Sequence, residues 1–149
     1  MRAIPAKLFF SASLLILTAA AASTPWITPA SAPAEKAEIE RGRYLVENVA
    51  MCAECHTPRN AQGELDRNAW LQGASIWIRP VQPIPNWADN VPALAGLPSF
   101  TEEQAERVLE KGTGPQGEVL RPPMHIYHMN HSDAQAIIAY LRSLPALKH

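Results

Sequence analysis

Apolar side chains recur with the period of an α-helix in three segments of this chain, and the first segment runs from about Ala34 to Asn48. One face of it is apolar and the rest is charged, with Ile39, Tyr44, Leu45 and Val49 set against Glu38, Arg41 and Glu47. Gly42 lies inside this predicted helix, where glycine costs about 1 kcal/mol relative to alanine. Either another helix crosses there at close range, or the glycine is exposed and neutral.

Two more helices are predicted in the second half of the chain. Thr101, with Gln104 three residues later, is typical of a capping box, and Gly112 marks the end of that helix. The last helix begins near residues 130–132 and ends at Ser143, with apolar positions at helical spacing. Because no internal repeat accompanies these segments, the pattern predicts a single all-α domain of three to four helices with extended loops.

A long segment without a regular pattern, Thr57 to Pro98, precedes the second of these helices. It contains six prolines and three tryptophans, namely Pro58, Pro80, Pro83, Pro85, Pro92 and Pro98 with Trp70, Trp77 and Trp87. Residues 74–79 alternate well enough to predict a short strand, which Pro80 confines to a sheet edge. Loops of this length are uncommon in compact domains unless they serve a function, and here we expect the segment to wrap around a ligand.

The first 32 residues are predicted to be a secretory signal peptide, which leaves residues 33–149 as the domain. A positively charged start is followed by an apolar run over residues 8–22. Ala30-Ser31-Ala32 is the preferred cleavage site, and residues 20–22 are an alternative. An uncleaved membrane anchor is the competing interpretation, although the run is shorter than the roughly 20 residues that a span requires.

The two cysteines of the chain lie in the motif Cys52-Ala53-Glu54-Cys55-His56. Residues three and four apart share a helix face, so the two sulfur atoms and the imidazole of His56 point toward one flat object. This spacing is the attachment motif of a c-type haem, in which two thiols form thioethers with the porphyrin and the adjoining imidazole binds the iron.

Two other interpretations of the motif stay open. A Cys-x-x-Cys pair forms redox disulfides in some proteins, although no strand–helix–strand pattern surrounds Cys52. A zinc site needs four ligands, so Cys52 and Cys55 would have to combine with the distant His125 and His128. That combination leaves His56 without a role.

Export and haem attachment support each other, because covalent haem c is assembled on the outer side of a bacterial inner membrane. The predicted location is therefore the periplasm. From residue 33 onward the chain has 11 Lys and Arg against 14 Asp and Glu, a formal charge near −3, which disfavours a nucleic-acid partner. The domain is also small for a self-sufficient core, and a buried porphyrin would supply part of the missing apolar interior.

The chain resembles the class I cytochromes c over residues 39–144. Three features match in order. The first and most specific is the attachment motif, Cys52 to His56, and the second is the segment Val91-Pro92-Ala93-Leu94-Ala95-Gly96, which is like the family's Pro-x-Leu-x-Gly turn. The third is Pro122-Pro123-Met124 before a terminal helix that contains Ala139-Tyr140-Leu141-Arg142-Ser143-Leu144. The resemblance implies the cytochrome c fold, with long haem-wrapping loops and one covalent haem c in residues 33–149.

Position by position, the resemblance implies that His56 and Met124 are the axial ligands of the iron. It also implies that the Pro92 carbonyl accepts the Nδ1 proton of His56, which fixes the orientation of the ring. The chain departs from the commonest family pattern because His125 follows the methionine where a proline often stands, so bis-His ligation stays open. Other candidates for the distal position are nearby side chains, namely Met129, His125 and His128.

Two further sets of residues follow from the resemblance. The family's two end helices cross near a glycine and an aromatic residue, and Gly42 and Tyr140 suit those positions. Three side chains are candidate hydrogen-bond donors to the haem carboxylates, none of them preferred: Trp87, Arg59 and Arg79.

The resemblance implies a one-electron carrier and not an enzyme, because both axial positions are filled and no substrate needs to reach the iron. The expected partners are a dehydrogenase as donor and an oxidase or another cytochrome as acceptor, through weak and transient contacts. A haem enzyme or gas sensor with an open or displaceable distal site is the alternative. A structural subunit that relays electrons inside a larger complex is a third. Membrane association is expected only through an uncleaved leader.

Overall fold

The computed structural model describes residues 31–146, so the predicted signal peptide lies outside the described residues except for its last two positions. Within this part of the chain there are four α-helices: α1 (Ala32–Tyr44), α2 (Ala53–His56), α3 (Glu102–Glu106) and α4 (His131–Ser143). Turns of π-helix extend α1 over Leu45–Val49 and α3 over Arg107–Lys111. The predicted all-α fold class is confirmed. None of the helices in residues 31–146 is both long and apolar enough to span a lipid bilayer.

The first and last helices cross at Gly42. A Cβ atom on Gly42 would lie 1.8 Å from Ala136 O and 2.8 Å from Tyr140 Cβ, so only glycine allows the two backbones to come this close. The predicted close crossing of helices is therefore confirmed. Ile137 and Ile138 of α4 are almost fully buried beside it, and this helix pair forms the centre of the hydrophobic core.

A capping box starts α3, as predicted. Thr101 Oγ1 accepts a hydrogen bond from Gln104 N at 3.2 Å, and Gln104 Oε1 accepts one from Thr101 N at 2.9 Å. The π-helical extension of α3 ends at Gly112, whose φ of +66° is a left-handed conformation that glycine adopts readily. The predicted helix is therefore present, but its second half is wider than an α-helix.

The prediction of a strand over residues 74–79 is wrong in length. β1 (Ala74–Ser75) pairs antiparallel with β2 (Asn90–Val91), and neither strand extends further. Trp77 lies beyond the end of β1, and its Nε1 donates a hydrogen bond to Glu54 O at 3.2 Å. The prolines that follow have no N–H to donate to a ladder, so the alternating pattern does not continue as a strand.

The segment that follows the motif is tied to the turn that contains Pro92. Leu71 is fully buried, and its carbonyl accepts hydrogen bonds from Leu94 N at 2.8 Å and Ala95 N at 3.1 Å. Leu71 N in turn donates to Thr57 Oγ1 at 3.0 Å. Through Leu71, these bonds connect Thr57, the residue after the Cys52–His56 motif, to the turn that contains Pro92.

Candidate functional site

The motif Cys52 to His56 forms one helical turn in the wall of a cavity. Cys52 O accepts hydrogen bonds from Cys55 N at 3.3 Å and from His56 N at 2.9 Å. Both cysteines are partly buried, and His56 is only 5% exposed. The turn brings the two sulfur atoms and the imidazole to the same cavity.

This cavity has a volume of about 510 Å³, within the range of about 300–1,000 Å³ that is typical of cofactor sites. Its wall comes from the motif, the Pro92 turn, the end of α3 and the loop before α4. Most of the lining side chains are apolar, among them Leu94, Leu97, Phe100, Leu109, Ile137 and Leu141. An apolar wall of this kind suits a flat porphyrin and excludes water from the metal.

His56 is held by a backbone carbonyl. Its Nδ1 lies 2.9 Å from Pro92 O, and because a carbonyl only accepts hydrogen bonds, the proton lies on Nδ1. Nε2 therefore keeps its lone pair, and it has no hydrogen-bond partner among the described residues. Burial lowers the pKa of His56 more than the bond to Pro92 raises it, so the ring is neutral at physiological pH. A neutral, oriented imidazole with one free nitrogen is suited to bind a metal.

The distal candidates separate into two pairs. Met124 and His125 line the cavity, whereas the described cavity wall includes neither Met129 nor His128. Met129 packs against the hydrophobic core, and its backbone N donates to Leu109 O at 2.9 Å. Met124 is partly buried and His125 is exposed. The structure thus brings Met124 into one cavity with the motif and leaves Met129 outside it.

The cysteine side chains are partly buried and are not joined by a disulfide. Burial raises the pKa of Cys52 to about 11. The pKa of Cys55 is also raised, by burial first and by the nearby Glu54 carboxylate second. In residues 31–146 no three His, Cys, Asp or Glu side chains lie close enough to hold a metal ion, so the zinc interpretation lacks a ligand set.

One buried donor tests whether a haem fits this cavity. Trp87 Nε1 is buried and has no hydrogen-bond partner among the described residues, which is a costly arrangement. The neighbouring Ala88 lines the cavity, and so does Arg121, whose Nη2 donates to Trp87 O at 3.1 Å. A porphyrin with carboxylate substituents would bring an acceptor for such a donor. The donor set and the apolar wall fit a haem, and the unpaired N–H belongs to a residue next in sequence to the cavity lining, although Trp87 itself is not part of the described wall.

The other two candidate donors to the haem carboxylates are engaged elsewhere. Arg59 pairs with Glu54 at 2.7 Å and its guanidinium lies 4.5 Å from the centre of the Trp77 ring. Arg79 lies 3.6 Å from the exposed Asp89 carboxylate. Like Trp87, neither arginine is part of the described cavity wall, and Arg59 Nε is also buried without a hydrogen-bond partner among the described residues.

Sequence reasoning missed much of the cavity lining, including two residues with long-range hydrogen bonds, Arg121 and Tyr127. Arg121 donates to Asn86 O and Trp87 O, which lie 35 and 34 positions away. Tyr127 OH donates to Ala50 O, 77 positions away. The only local signal for either residue was its closeness in sequence to Met124.

The fold, the motif and the cavity together define a protein that holds a haem covalently on an all-α scaffold. The chain belongs to the cytochrome c family, whose sequence pattern matches residues 39–145. Covalently bound haem c and electron transfer are therefore the chemistry of this chain.

The chain is similar to cytochromes from several bacteria. It is 35% identical over 115 residues to the fructose dehydrogenase cytochrome subunit of Gluconobacter japonicus, covering 71% of this chain and 22% of that protein. It is 35% identical over 118 residues to a diheme cytochrome c-type protein of Cereibacter sphaeroides, covering 74% and 37%. It is 32% identical over 122 residues to the gluconate 2-dehydrogenase cytochrome c subunit of Pantoea cypripedii, covering 72% and 26%. The chain thus spans 22% to 37% of the length of these relatives.

Proposed function

We propose that this protein is a one-electron carrier whose single haem c is attached to Cys52 and Cys55 and ligated by His56 and Met124. The observation that carries the proposal is one cavity whose wall includes all four side chains, with His56 fixed by Pro92 O. When bound, haem supplies a redox-active iron, either ferrous or ferric.

The side chains of the site have separate tasks in this proposal. Pro92 keeps the His56 ring from rotating, so Nε2 stays directed at one point. Met124, which lines the same cavity, would hold the iron as its second protein ligand, and the iron would then have no open position for a substrate. The apolar wall excludes water and limits rearrangement around the metal. Because a soft thioether favours reduced iron, this ligand pair gives a higher potential than bis-His ligation.

The ligand assignment predicts a far-red sulfur-to-iron absorption band in the ferric protein. The substitution Met124→Ala abolishes this band, because the thioether is removed. Met129→Ala is the matched control, and it retains the band because Met129 packs on the core outside the cavity. A wild-type spectrum without the band, or a band that survives Met124→Ala, would contradict His/Met ligation.

Carbon monoxide binding separates the carrier from the alternative of a haem enzyme or gas sensor. With both axial positions filled, the untreated ferrous protein is expected to bind carbon monoxide slowly, at a rate limited by release of the methionine. Met124→Ala opens the position and accelerates binding. Fast binding to the wild-type protein would instead favour an open distal site.

We further propose that the protein works in the periplasm between a dehydrogenase and an oxidase or another cytochrome. The support is its similarity to cytochrome subunits named for fructose and gluconate dehydrogenases, together with the predicted leader at residues 1–32. Cell fractionation tests the location, since the haem-stained protein is expected in the periplasmic fraction. Haem staining confined to membranes would favour an uncleaved anchor.

A further inference from the structure

The loop that carries Met124, residues 121–129, is anchored firmly at both ends. At its start, Arg121 Nη2 donates to Trp87 O at 3.1 Å, and Ala88 N donates to Pro122 O at 2.7 Å. At its end, Met129 N donates to Leu109 O at 2.9 Å. The ends of the loop are therefore fixed to the 86–88 segment and to the end of α3.

The middle of this loop, residues 124–128, has a single long-range tether. Within the described part of the chain, the one hydrogen bond that these five residues make outside the loop runs from Tyr127 OH to Ala50 O, at 3.0 Å. Met124 N bonds only within the loop, to Arg121 O at 3.1 Å. Without the Tyr127 hydroxyl, no hydrogen bond would hold residues 125–128 to the rest of the described chain, and Met124 would keep only its bond to Arg121 O at the start of the loop.

The acceptor of this bond belongs to the segment that leads into the haem-attachment motif. Ala50 ends the π-helical turn that extends α1, and it lies two residues before Cys52. Its carbonyl is one of the terminal helix carbonyls that have no partner inside the helix, so the tyrosine satisfies an acceptor that is otherwise unpaired. The bond thus joins the segment before the attachment motif to the loop that carries Met124.

The Tyr127 ring is suited to act as a donor at this point. It lines the cavity and packs against the core, and it meets the His125 ring edge-on at 4.8 Å between centroids. Burial raises the pKa of Tyr127 to about 12, so the hydroxyl keeps its proton at physiological pH.

We propose that Tyr127 is a positioning residue whose hydroxyl, bonded to Ala50 O, holds the 124–128 segment closed and keeps Met124 on the iron. This inference rests on the proposed His/Met ligation. It assigns to Tyr127 control over how often the distal position opens to external ligands. The hydroxyl does not touch the iron and acts only through the loop.

Imidazole binding to the ferric holoprotein tests this role, because imidazole binds only after the methionine has left the iron. Tyr127→Phe keeps the ring and removes the hydroxyl. We expect imidazole affinity and the limiting binding rate to rise roughly two- to tenfold, the factor that corresponds to loss of one neutral hydrogen bond. The far-red band is retained without imidazole, and the backbone amide of Met124, which is bonded to Arg121 O, exchanges hydrogen faster while those of α4 do not.

Tyr140→Phe is the matched control. It also removes a hydrogen-bonded hydroxyl, since Tyr140 OH donates to Glu47 Oε1 at 2.7 Å and accepts from Trp70 Nε1 at 3.4 Å, but neither lost bond involves the 121–129 loop. We expect imidazole binding in this variant to equal that of the wild type. Unchanged binding in Tyr127→Phe, or an equal rise in both variants, overturns the inference. A wild-type protein without the far-red band defeats the ligation proposal instead.

Discussion

Backbone carbonyls accept hydrogen bonds from two side chains of the site, namely the proposed iron ligand His56 and the positioning residue Tyr127. Pro92 O fixes His56, and Ala50 O receives the hydroxyl of Tyr127. A carbonyl stays in place when the side chain of its own residue changes, so substitutions at Pro92 and Ala50 are expected to act through backbone conformation only. The effects that depend on side-chain chemistry are therefore expected at His56 and Tyr127 and not at the residues whose carbonyls they contact.

Trp87 gives a test at the scale of one residue. If its unpaired buried N–H bonds to a haem carboxylate, Trp87→Phe destabilises the holoprotein by about 2 kcal/mol, the range for hydrogen bonds to charged groups. Denaturant unfolding of the holoprotein measures this loss. Trp77→Phe is the control, because that indole is exposed and donates to Glu54 O, and it should cost less. Equal or greater stability of Trp87→Phe would show that the N–H has no acceptor.

The sequence predicted single residues of the site only where they belong to a local motif. Cys52, Cys55 and His56 are defined by spacing within one turn, so no tertiary information was needed to group them. Tyr127 and Arg121 depend on partners far away in the chain. Neither has a spacing rule, and their roles emerge only from the folded chain.

At the scale of helices, the crossing of α1 and α4 depends on the absence of one methyl group. Gly42→Ala would put a Cβ atom 1.8 Å from Ala136 O, a backbone atom that moves only if a helix moves. We expect a loss of about 3 kcal/mol, at the upper end of overpacking costs, in denaturant unfolding. Gly63→Ala is the control, since that site has open space and only a left-handed φ of +82°, and it should cost about 1 kcal/mol. Equal losses in the two variants would contradict a tight crossing.

The contact between the end of α3 and the start of α4 is predicted to depend on pH. His131 Nδ1 lies 2.8 Å from Glu110 Oε1, and this bond with the Glu110 charge raises the pKa of His131 above its ordinary value. The contact therefore stabilises the fold below about pH 6.5 and is lost as the pH rises through the raised pKa.

Glu110→Gln tests this contact. The substitution should lower the pKa of His131 toward about 6.5, as measured by NMR titration of the ring. It should also destabilise the protein more at about pH 5.5 than at about pH 8.5. Glu106→Gln is the graded control, because Glu106 raises the pKa of His131 less than Glu110 does. A His131 pKa that is unchanged in Glu110→Gln would rule out the pairing.

Helices were predicted well from the sequence because their signals are local. The capping box at Thr101 and the apolar period of α4 depend on neighbours within a turn. The strand over residues 74–79 was overestimated, because Trp77 bonds to Glu54 in the haem motif and not to a neighbouring strand. The π-helical widening of α1 and α3 has no known local signal and was not predicted.

At the scale of the whole molecule, much of the chain serves as the wall of one cavity. Its lining residues come from the Cys52–His56 motif, the Pro92 turn, the end of α3 and the 121–129 loop. Ile137 and Leu141 of α4 complete the apolar wall. The small size of the domain agrees with a porphyrin as part of the interior, whereas the charge near −3 bears only on partners and disfavours nucleic acid. The redox partner cannot be inferred from composition in the same way, because a weak and transient contact requires no extensive apolar surface.

The mass of the exported protein, measured after denaturation, tests the central claim most directly. The account predicts the mass of the processed polypeptide plus one haem, because two thioethers to Cys52 and Cys55 survive unfolding. The same spectrum reports whether cleavage follows Ala32. The bare polypeptide mass, with all colour extracted by acidified organic solvent, would contradict covalent attachment and with it the proposed site.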